Sequence, residues 1–565
     1  MKPGILILVL GLALTASSAA QEKPVPGQRQ MEVTRPDSLA RPAAQEPASR
    51  ATQGLPKFDI PEYVITGVVT LDLPDVSKQA GAEPVHVLEL ADPAAFPRDR
   101  LSHDFTAEDK QTFVSAATRI STGRLEVSSG KYLTSHLGIR HASFDPSYSF
   151  GLEGDYRTAK AFVPFAHRSS GEVRVRGGVV LNSPADWYDR GMVGSEMGYG
   201  SETYRFYGYQ NPSLTRTITR FDLAARYDSP REFLHTYGAN LGMVLNSIKD
   251  STTSLTETIF GAGAGVNLML GTFPLDSRVD FTLSSLTGTT TKSYPFVDAR
   301  ISTEKLWYGG FFIQASLHGY LAQGMMSQKF ARAYPHVTLG YRVLQTTTLS
   351  LSYTGRVQQN SLSRLLSLQP YLSANATLRQ SDIPIDGVVA LETDWSPVWR
   401  TRFSARFQSV RDFPLFTEGG SRGIWTTDYR GTTKISTFQA DLFAKFDANS
   451  YFTMSLEIND SKNTVTEWKV PYLPELRFSG GVWLEPAPGL GIFPTVAYVG
   501  KRVPDLFVAS KLKEYVCANL HAEYALLRFL AVTVDFLNLT NSKYEEWSGY
   551  QAVPLTITAG VNIRW

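Results

Sequence analysis

The chain has 565 residues, of which 43% are hydrophobic and 12% aromatic, and 55 Lys and Arg stand against 53 Asp and Glu. The formal charge of +2, without any long run of Lys or Arg, argues against a nucleic-acid-binding protein. A single cysteine, Cys517, excludes an internal disulfide and a cysteine-rich metal site.

Residues 1–20 have the three parts of a secretory signal peptide. Lys2 lies in a short basic start, the apolar run 5–14 follows, and the small residues Ser18 and Ala20 precede Gln21. The run of about ten apolar residues is too short to cross ~30 Å of hydrocarbon as a helix. We therefore predict a secreted mature chain that begins at Gln21.

Residues 21–122 differ in composition from the rest of the chain. Residues 21–56 are rich in Pro, Ala, Gln and Arg and contain almost no large apolar side chains. Such a segment cannot offset the entropy of ordering, so we predict a disordered periplasmic tether. Residues 57–122 contain a β-branched stretch and Pro-rich connections, which predict a short extended segment, either a small periplasmic or lumenal element or the remnant of a plug domain.

From residue 123 onwards, apolar and polar side chains alternate along segment after segment. The last strand places five residues on one face, namely Ile557, Ala559, Val561, Ile563 and Trp565. Similar alternation occurs in residues 148–157, 336–343, 438–446, 452–459 and 530–536. A period of two over about ten residues is typical of one membrane-crossing strand. No uncharged apolar stretch of about 18 residues occurs downstream of the signal peptide, which excludes an α-helical membrane protein.

Two folds have strands with one apolar and one polar face. A soluble sandwich buries the apolar faces against each other, whereas a membrane barrel turns them outward around a polar lumen. The repetition along the chain favours the barrel. At about 20 residues per strand with its share of loop, ~440 residues give roughly 22 strands, and inspection places about 18–22. The predicted fold class is all-β, a large transmembrane antiparallel β-barrel over residues 123–565.

The last 30 residues combine several recognisable features. Asn538, Leu539, Asn541 and Tyr544 precede the pair 549–550 and the terminal Trp565. This arrangement resembles the last hairpin of TonB-dependent receptors. The stretch Tyr63, Val64, Ile65, Thr66 and Gly67 resembles the Val-Thr-Gly segment at the N-terminal edge of their plug, and residues 123–134 resemble the first strands of related plug-poor barrels.

The resemblance implies a multi-pass barrel in the bacterial outer membrane with a periplasmic N-terminus. It also implies lipid contact, recognition of the C-terminal strand by the barrel-assembly machinery, and uptake of an unidentified solute. An inner-membrane energy transducer would bind Tyr63 to Gly67 by strand addition. A full plug needs roughly 150 residues, and only residues 58–122 are available, so the plug is reduced or missing. Energy-coupled uptake therefore stays open.

Each match to a catalytic or cofactor-binding motif in the sequence is better explained by a structural role of the same residues. Gly419 to Gly423 matches a Gly-x-Ser-x-Gly elbow, but a preceding Pro414 and a strand-like sequence after it favour a glycine-rich loop. Gly261 to Gly265 is similar to a dinucleotide loop, but it lies in a strand-like stretch with no helix after it. His136 and His141 would point to opposite faces of a strand, which argues against a metal site. We predict no cofactor, no metal and no catalytic residue.

Several arginines occupy alternate positions on the polar faces of predicted strands. They are Arg174, Arg176, Arg216, Arg220, Arg226, Arg400, Arg402 and Arg406. Inward-facing arginines could attract anionic solutes by raising the positive potential of the lumen. Alternatively, they pair with Glu153, Asp222, Asp280 and Asp441 and brace a wide barrel.

Two function classes remain open at this stage. The first is a transport barrel that takes up or passes a solute, with specificity in its loops. The second is a non-transport barrel that acts as an adhesin or an envelope scaffold, with its lumen closed by loops. A barrel-embedded enzyme comes third, because no pair of residues supports it.

Overall fold

The computed structural model describes residues 120–181, 190–230, 235–251, 253–271, 273–288, 291–323, 329–418, 422–447, 450–505 and 511–565. The predicted signal peptide, the tether and the stretch from Tyr63 to Gly67 lie outside the described residues. Within the described ranges, no helix has the length and apolar character needed to cross a membrane.

The described chain consists almost entirely of strands. In chain order they are β1 (Ile120–Gly130), β2 (Leu133–Phe144), β3 (Tyr148–Ala159), β4 (Arg168–Val180), β5 (Met192–Arg205), β6 (Thr215–Asp228), β7 (Thr236–Asp250), β8 (Ser254–Leu270), β9 (Phe273–Thr287), β10 (Thr291–Thr303), β11 (Leu306–Tyr308), β12 (Phe311–Gln323), β13 (Lys329–Leu344), β14 (Thr347–Thr354), β15 (Arg356–Gln358), β16 (Ser381–Ser396), β17 (Trp399–Arg411), β18 (Leu415–Glu418), β19 (Trp425–Asp428), β20 (Thr432–Lys445), β21 (Tyr451–Asn463), β22 (Leu476–Ala487), β23 (Leu490–Val499), β24 (Tyr515–Leu527), β25 (Leu530–Leu537), β26 (Glu545–Trp547), β27 (Tyr550–Gln551) and β28 (Thr556–Arg564). A short helix, α1 (Leu362–Leu368), lies between β15 and β16.

These strands form a closed antiparallel barrel. Each wall strand pairs with the next along the chain, and β1 pairs with β28, so the sheet has no free edge. The wall has 22 strands, because the three-residue strands β11 and β15 only extend the pairing of β12 and β16. The pairs β18–β19 and β26–β27 are small hairpins outside the wall. The predicted all-β barrel is confirmed, at the upper end of the predicted strand number.

The barrel closes where the two ends of the described chain meet. Gly123 and Trp565 exchange two backbone hydrogen bonds, of 2.8 and 3.0 Å. A Cβ atom at Gly123 would lie 2.0 Å from the Trp565 ring, so only glycine leaves room for this aromatic side chain. On β28, Ile557 and Val561 are exposed while Thr558 is buried. The predicted alternation of the C-terminal strand is therefore confirmed.

The two faces of the wall differ in polarity. Leu223 on β6, Leu241 on β7 and Phe403 on β17 point outward and are 45, 55 and 52% exposed. Equivalent apolar positions on the other wall strands extend this surface around the barrel. So large a continuous apolar exterior needs an apolar environment, and a lipid bilayer provides it.

Connections alternate between the two ends of the barrel, because neighbouring strands run in opposite directions. One end, here called the long-loop end, carries residues 160–167, 206–214, 359–380, 412–418, 422–431, 464–475, 500–505, 511–514 and 538–555. The other end, here called the short-turn end, carries mostly two- to five-residue connections, such as 345–346 and 397–398.

We predict that Leu223→Lys destabilises the folded barrel in lipid vesicles by about 2–4 kcal/mol, because the ammonium group would lie near the middle of the bilayer. The control is Ala224→Lys, whose side chain would face the lumen opposite Glu196 on β5. Its stability should change little. Urea unfolding in vesicles measures both variants, and equal losses would contradict the assignment of the two faces.

Candidate functional site

The loops at the long-loop end pack against one another across the barrel mouth. Residues 206–214, 359–380, 412–418, 422–431, 464–475 and 538–555 are here called the cap. The largest buried apolar cluster lies between the cap and the ends of β5, β7, β8 and β9; it contains Tyr204, Phe206, Ile248, Leu255, Leu286, Leu362, Leu365, Leu366, Tyr371, Leu372, Ala374, Ala376, Leu378, Phe416, Trp425 and Tyr550. The cap therefore has a hydrophobic core of its own.

Three cap loops meet backbone to backbone at three glycines. Gly423 has a φ of +88°, and a Cβ there would lie 2.7 Å from the carbonyl oxygen of Gly208. Gly549 has a φ of +82°, and a Cβ there would lie 3.0 Å from the same oxygen. The Tyr550 hydroxyl donates a 2.7 Å hydrogen bond to the Gly423 carbonyl. Loops that are far apart in sequence are thus joined directly.

Aromatic rings fill the centre of the cap. Tyr371 and Tyr550 stack with ring centroids 3.5 Å apart, and the fully buried Trp425 contacts Tyr472 and Trp547. Burial raises the pKa of Tyr371 and Tyr550 well above the ordinary value for a phenol. Both hydroxyls therefore stay protonated, and that of Tyr550 remains a hydrogen-bond donor.

A buried carboxylate on the wall holds the start of α1. Glu257 on β8 accepts hydrogen bonds from the Leu362 backbone N–H (2.8 Å) and from Asn246 on β7 (3.3 Å). The Ser361 side chain accepts a further bond from the Arg364 N–H at the same end of α1. These acceptors satisfy N–H groups that a helix start leaves unpaired. The inner wall thereby fixes the position of α1 in the mouth.

Arg216, one of the eight predicted lumenal arginines, ties the wall to the cap. It is fully buried and forms a bidentate ion pair with Asp250, with both N···O distances 2.7 Å. Its guanidinium also donates hydrogen bonds to the backbone carbonyls of Pro370 and Leu372, and it lies 4.6 Å from the Phe206 ring centroid. Arg216 therefore contacts protein on every side and holds the cap in place.

The other seven predicted arginines also occupy strand positions whose side chains face the lumen, and six of them form ion pairs with carboxylates. Seven of the eight form ion pairs: Arg174 with Glu172 and Glu196 (3.1 and 3.3 Å), Arg176 with Glu196 and Glu153 (3.3 and 3.6 Å), Arg216 with Asp250, Arg220 with Asp222 (3.4 Å), Arg226 with Asp228 (3.6 Å), Arg400 with Asp394 (2.6 Å), and Arg406 with Asp386 (2.7 Å). This pattern fits the bracing alternative. Asp280 pairs instead with Arg278, and Asp441 accepts hydrogen bonds from Gln439 and Ser455.

Arg402 is the exception among the eight. Within the described part of the chain it forms no ion pair, although Asp441 lies opposite it in the strand register. Arg402 and Arg406 line a cavity of about 410 Å³ between β16, β17, β20 and β21, together with polar side chains such as Gln408 and Asn459. The one predicted arginine without an ion pair among the described residues therefore lines this cavity beside Arg406, which is paired with Asp386.

A second cavity, of about 180 Å³, lies between the cap and the strand ends near the barrel seam. Its lining includes Phe162, Tyr207, Tyr371 and Trp547, none of which the sequence analysis singled out. The feature of the sequence that could have identified them is the number of aromatic residues in connecting segments that are otherwise rich in Gly, Pro and Asn. In a polar loop, such residues indicate packing against another part of the chain.

The glycine-rich motifs and the two histidines lie in wall strands or in a turn of the cap. Gly261 to Gly265 is inside β8, and Gly423 is in the turn between β18 and β19 that reaches the cap. His136 bonds to the lumenal Asp155 at 2.9 Å, whereas His141 stacks on Trp565 at the exterior, as their opposite parity predicted. Among the residues that the structure describes, no cluster of three His, Cys, Asp or Glu side chains could hold a metal.

The fold is similar to several solved outer-membrane transporter structures. The FrpB iron transporter of Neisseria meningitidis superposes with a TM-score of 0.64 at 10% identity, covering 80% of this chain and 83% of that one. The copper transporter OprC gives 0.62 at 12% identity and covers 80 and 81%. The ferric enterobactin receptor PfeA of Pseudomonas aeruginosa gives 0.62 at 11% identity and covers 80 and 82%. No protein-family profile and no curated protein matches the sequence. At these identities the likeness establishes the fold.

We predict that Arg216→Ala loosens the cap. The substitution leaves the buried Asp250 carboxylate unpaired, and breaking a buried pair in this way costs about 3–5 kcal/mol. Limited trypsin digestion should then cleave faster after Arg364 and Arg379, which lie in the cap. In the control, Arg226→Ala, an exposed lumenal arginine is removed and the digestion rate should stay unchanged. Equal rates in wild type and Arg216→Ala would show that Arg216 does not hold the cap.

Proposed function

Because the chain has the barrel fold of TonB-dependent receptors, we propose that it is an outer-membrane transport protein that takes up or passes a solute. The observation that carries this proposal is a 22-strand barrel with charged lumenal side chains beneath a cap that the wall holds by polar contacts. A barrel of this size encloses a lumen wider than its own side chains fill. A solute would enter when the cap moves, and the unpaired Arg402 would contact it.

The proposed orientation places the long-loop end outside the cell, as in bacterial barrels with long extracellular loops and short periplasmic turns. The chain would be exported by residues 1–20 and carry its N-terminus in the periplasm. The face formed by Ile557, Ala559, Val561, Ile563 and Trp565 would be recognised by the barrel-assembly machinery before it contacts lipid.

The cap also supports a second candidate function. Its hydrophobic core and the direct contacts among Gly208, Gly423 and Gly549 would suit a permanently closed barrel. Such a protein would act through its outer surface as an adhesin or an envelope scaffold. Transport requires that the cap open, and the sealed alternative requires that it stay closed.

Planar-bilayer conductance distinguishes the two functions. We expect the mature chain from Gln21 to conduct weakly and Arg216→Ala to conduct in larger steps, because the cap is released. Deleting residues 21–119 from both forms tests whether that segment occludes the lumen. Silence of all four proteins, with folding confirmed by heat-modifiable migration and cap release confirmed by trypsin, would support the sealed barrel instead.

An energy transducer of the inner membrane is the proposed partner if uptake is coupled to energy. The extended stretch Tyr63, Val64, Ile65, Thr66 and Gly67 would bind it by adding a strand to its sheet. We predict that deleting these five residues abolishes binding to the transducer's periplasmic domain and leaves barrel folding intact. A scrambled sequence of the same five residues is the control, and unchanged binding after the deletion would remove this segment from the proposal.

A further inference from the structure

The cavity between β16, β17, β20 and β21 is lined by neighbouring residues of consecutive wall strands. Ser404 on β17 lies opposite Gln439 on β20, which in turn lies opposite Glu457 on β21. The adjacent row of the same three strands contains Arg406, Thr437 and Asn459. Neighbouring strands are about 4.8 Å apart, and alternate residues of one strand are about 7 Å apart. The strand register therefore brings these side chains within reach of one small molecule.

The amide nitrogens of two glutamines in the cavity are held by carboxylates. Gln439 donates to both oxygens of Asp441, at 3.0 and 3.1 Å. Gln408 donates to Asp386 at 3.0 Å. An ionised carboxylate can only accept hydrogen bonds, so the nitrogen of each amide must be the atom that points to it. The amide oxygens of Gln408 and Gln439 have no partner among the described residues and remain available as acceptors.

Asn459 and Glu457 leave a further acceptor free. The Asn459 amide nitrogen donates to Oε1 of Glu457 and to the carbonyl oxygen of Pro474, and its oxygen accepts a 2.8 Å bond from the Thr437 hydroxyl. Oε2 of Glu457 has no partner in the part of the chain that the structure describes. The β21 side of the cavity therefore also offers an oxygen that can accept a hydrogen bond.

Arg402 supplies the unused donors of the cavity. Neither Arg402 nor Ser404 makes a side-chain hydrogen bond with another described residue. A guanidinium has five N–H donors, and a serine hydroxyl both donates and accepts. The unused groups are therefore one strong donor beside several acceptors.

The charges around the cavity balance. Arg406 is paired with Asp386 through two hydrogen bonds of 2.8 and 2.7 Å. Among the lining residues this leaves one positive group, Arg402, and one negative group, Glu457. An anion would find few free donors besides Arg402, and a cation would lie beside its guanidinium. A neutral molecule that can both donate and accept hydrogen bonds fits this set better than either ion.

The side of the cavity nearest the cap is apolar. It is formed by Phe413, Ile435, Val470 and Leu473, which pack together with the buried Leu415. The volume of about 410 Å³ lies within the range of about 300–1,000 Å³ that is usual for small-molecule sites. Sugars present C–H groups on a ring face and hydroxyl groups around its rim, which matches an apolar side above a polar one.

We infer that this cavity binds a neutral sugar of one or two rings, whose hydroxyl groups accept from Arg402 and donate to the free oxygens of Gln439 and Glu457. The inference rests on the proposed transport function for its role, since the sugar would be the solute or a close analogue. Binding itself is independent of whether the barrel conducts.

The test uses the full mature chain in a detergent without a sugar headgroup, such as lauryldimethylamine oxide. Saturation-transfer NMR follows the titration of glucose and sucrose as probes. Glucose should bind saturably, while glucuronate and protonated glucosamine, which keep the ring and add a charge, should bind about tenfold more weakly. Equal or tighter binding of either charged sugar, or no saturable binding of glucose and sucrose at millimolar concentration, would overturn the inference.

Variants locate the site. Arg402→Gln should weaken binding of the neutral sugar about tenfold and Gln439→Leu about fivefold, because each removes a hydrogen-bonding group. Heat-modifiable migration confirms that both variants fold. The matched controls are Arg226→Gln and Gln314→Leu, which alter an arginine and a glutamine at lumenal positions outside the cavity and should leave the affinity unchanged. Unchanged affinity in both Arg402→Gln and Gln439→Leu would show that the sugar binds elsewhere.

Sugar flux into liposomes tests the proposed function separately. Saturable binding that depends on Arg402 and Gln439 supports the cavity assignment whether or not the sugar crosses the membrane. Such binding without flux, even in Arg216→Ala, would count against transport and leave the cavity assigned. Flux without saturable binding would support transport and overturn the cavity assignment.

Discussion

The structure depends on backbone hydrogen bonds that close one sheet upon itself between β1 and β28. In a bilayer no water can satisfy an open strand edge, so the wall must be continuous. Closure with 22 strands also sets a diameter that inward-facing side chains cannot fill. The mouth must therefore be closed by other parts of the chain if it is to be closed at all. The long loops do this, and for that reason the largest buried apolar cluster lies between the cap and the strand ends beneath it.

The cap is held by two kinds of contact, an apolar core and directional polar contacts with the wall. Its apolar core favours a closed mouth without directional requirements. Arg216 and Glu257 instead are buried wall charges whose partners lie partly on the cap. If the cap lifts, Glu257 loses the Leu362 N–H and Arg216 loses two carbonyl acceptors, and unsatisfied buried groups are costly. Opening of the cap would therefore require water or a solute to replace the lost contacts.

The charged side chains inside the lumen also fall into two groups, paired and unpaired. Arginines such as Arg174 and Arg406 are neutralised by carboxylates on neighbouring strands, which keeps a wide polar wall in shape. Within the described part of the chain Arg402 has no carboxylate partner, and it lines the cavity between β16, β17, β20 and β21. The number of lumenal arginines therefore does not by itself give the number of unpaired charges in the lumen.

The sequence by itself determined the all-β class, the alternating faces and the approximate strand number, because a period of two is a local property of each strand. It also placed the eight arginines on the lumenal face. Only the tertiary structure decided which of them are paired, since the partners, as with Arg216 and Asp250, lie on different strands. The cap could not be predicted from the sequence either. Its core joins Tyr371, Trp425 and Tyr550 from loops far apart in the chain, and no local pattern encodes contacts that depend on closure of the whole barrel.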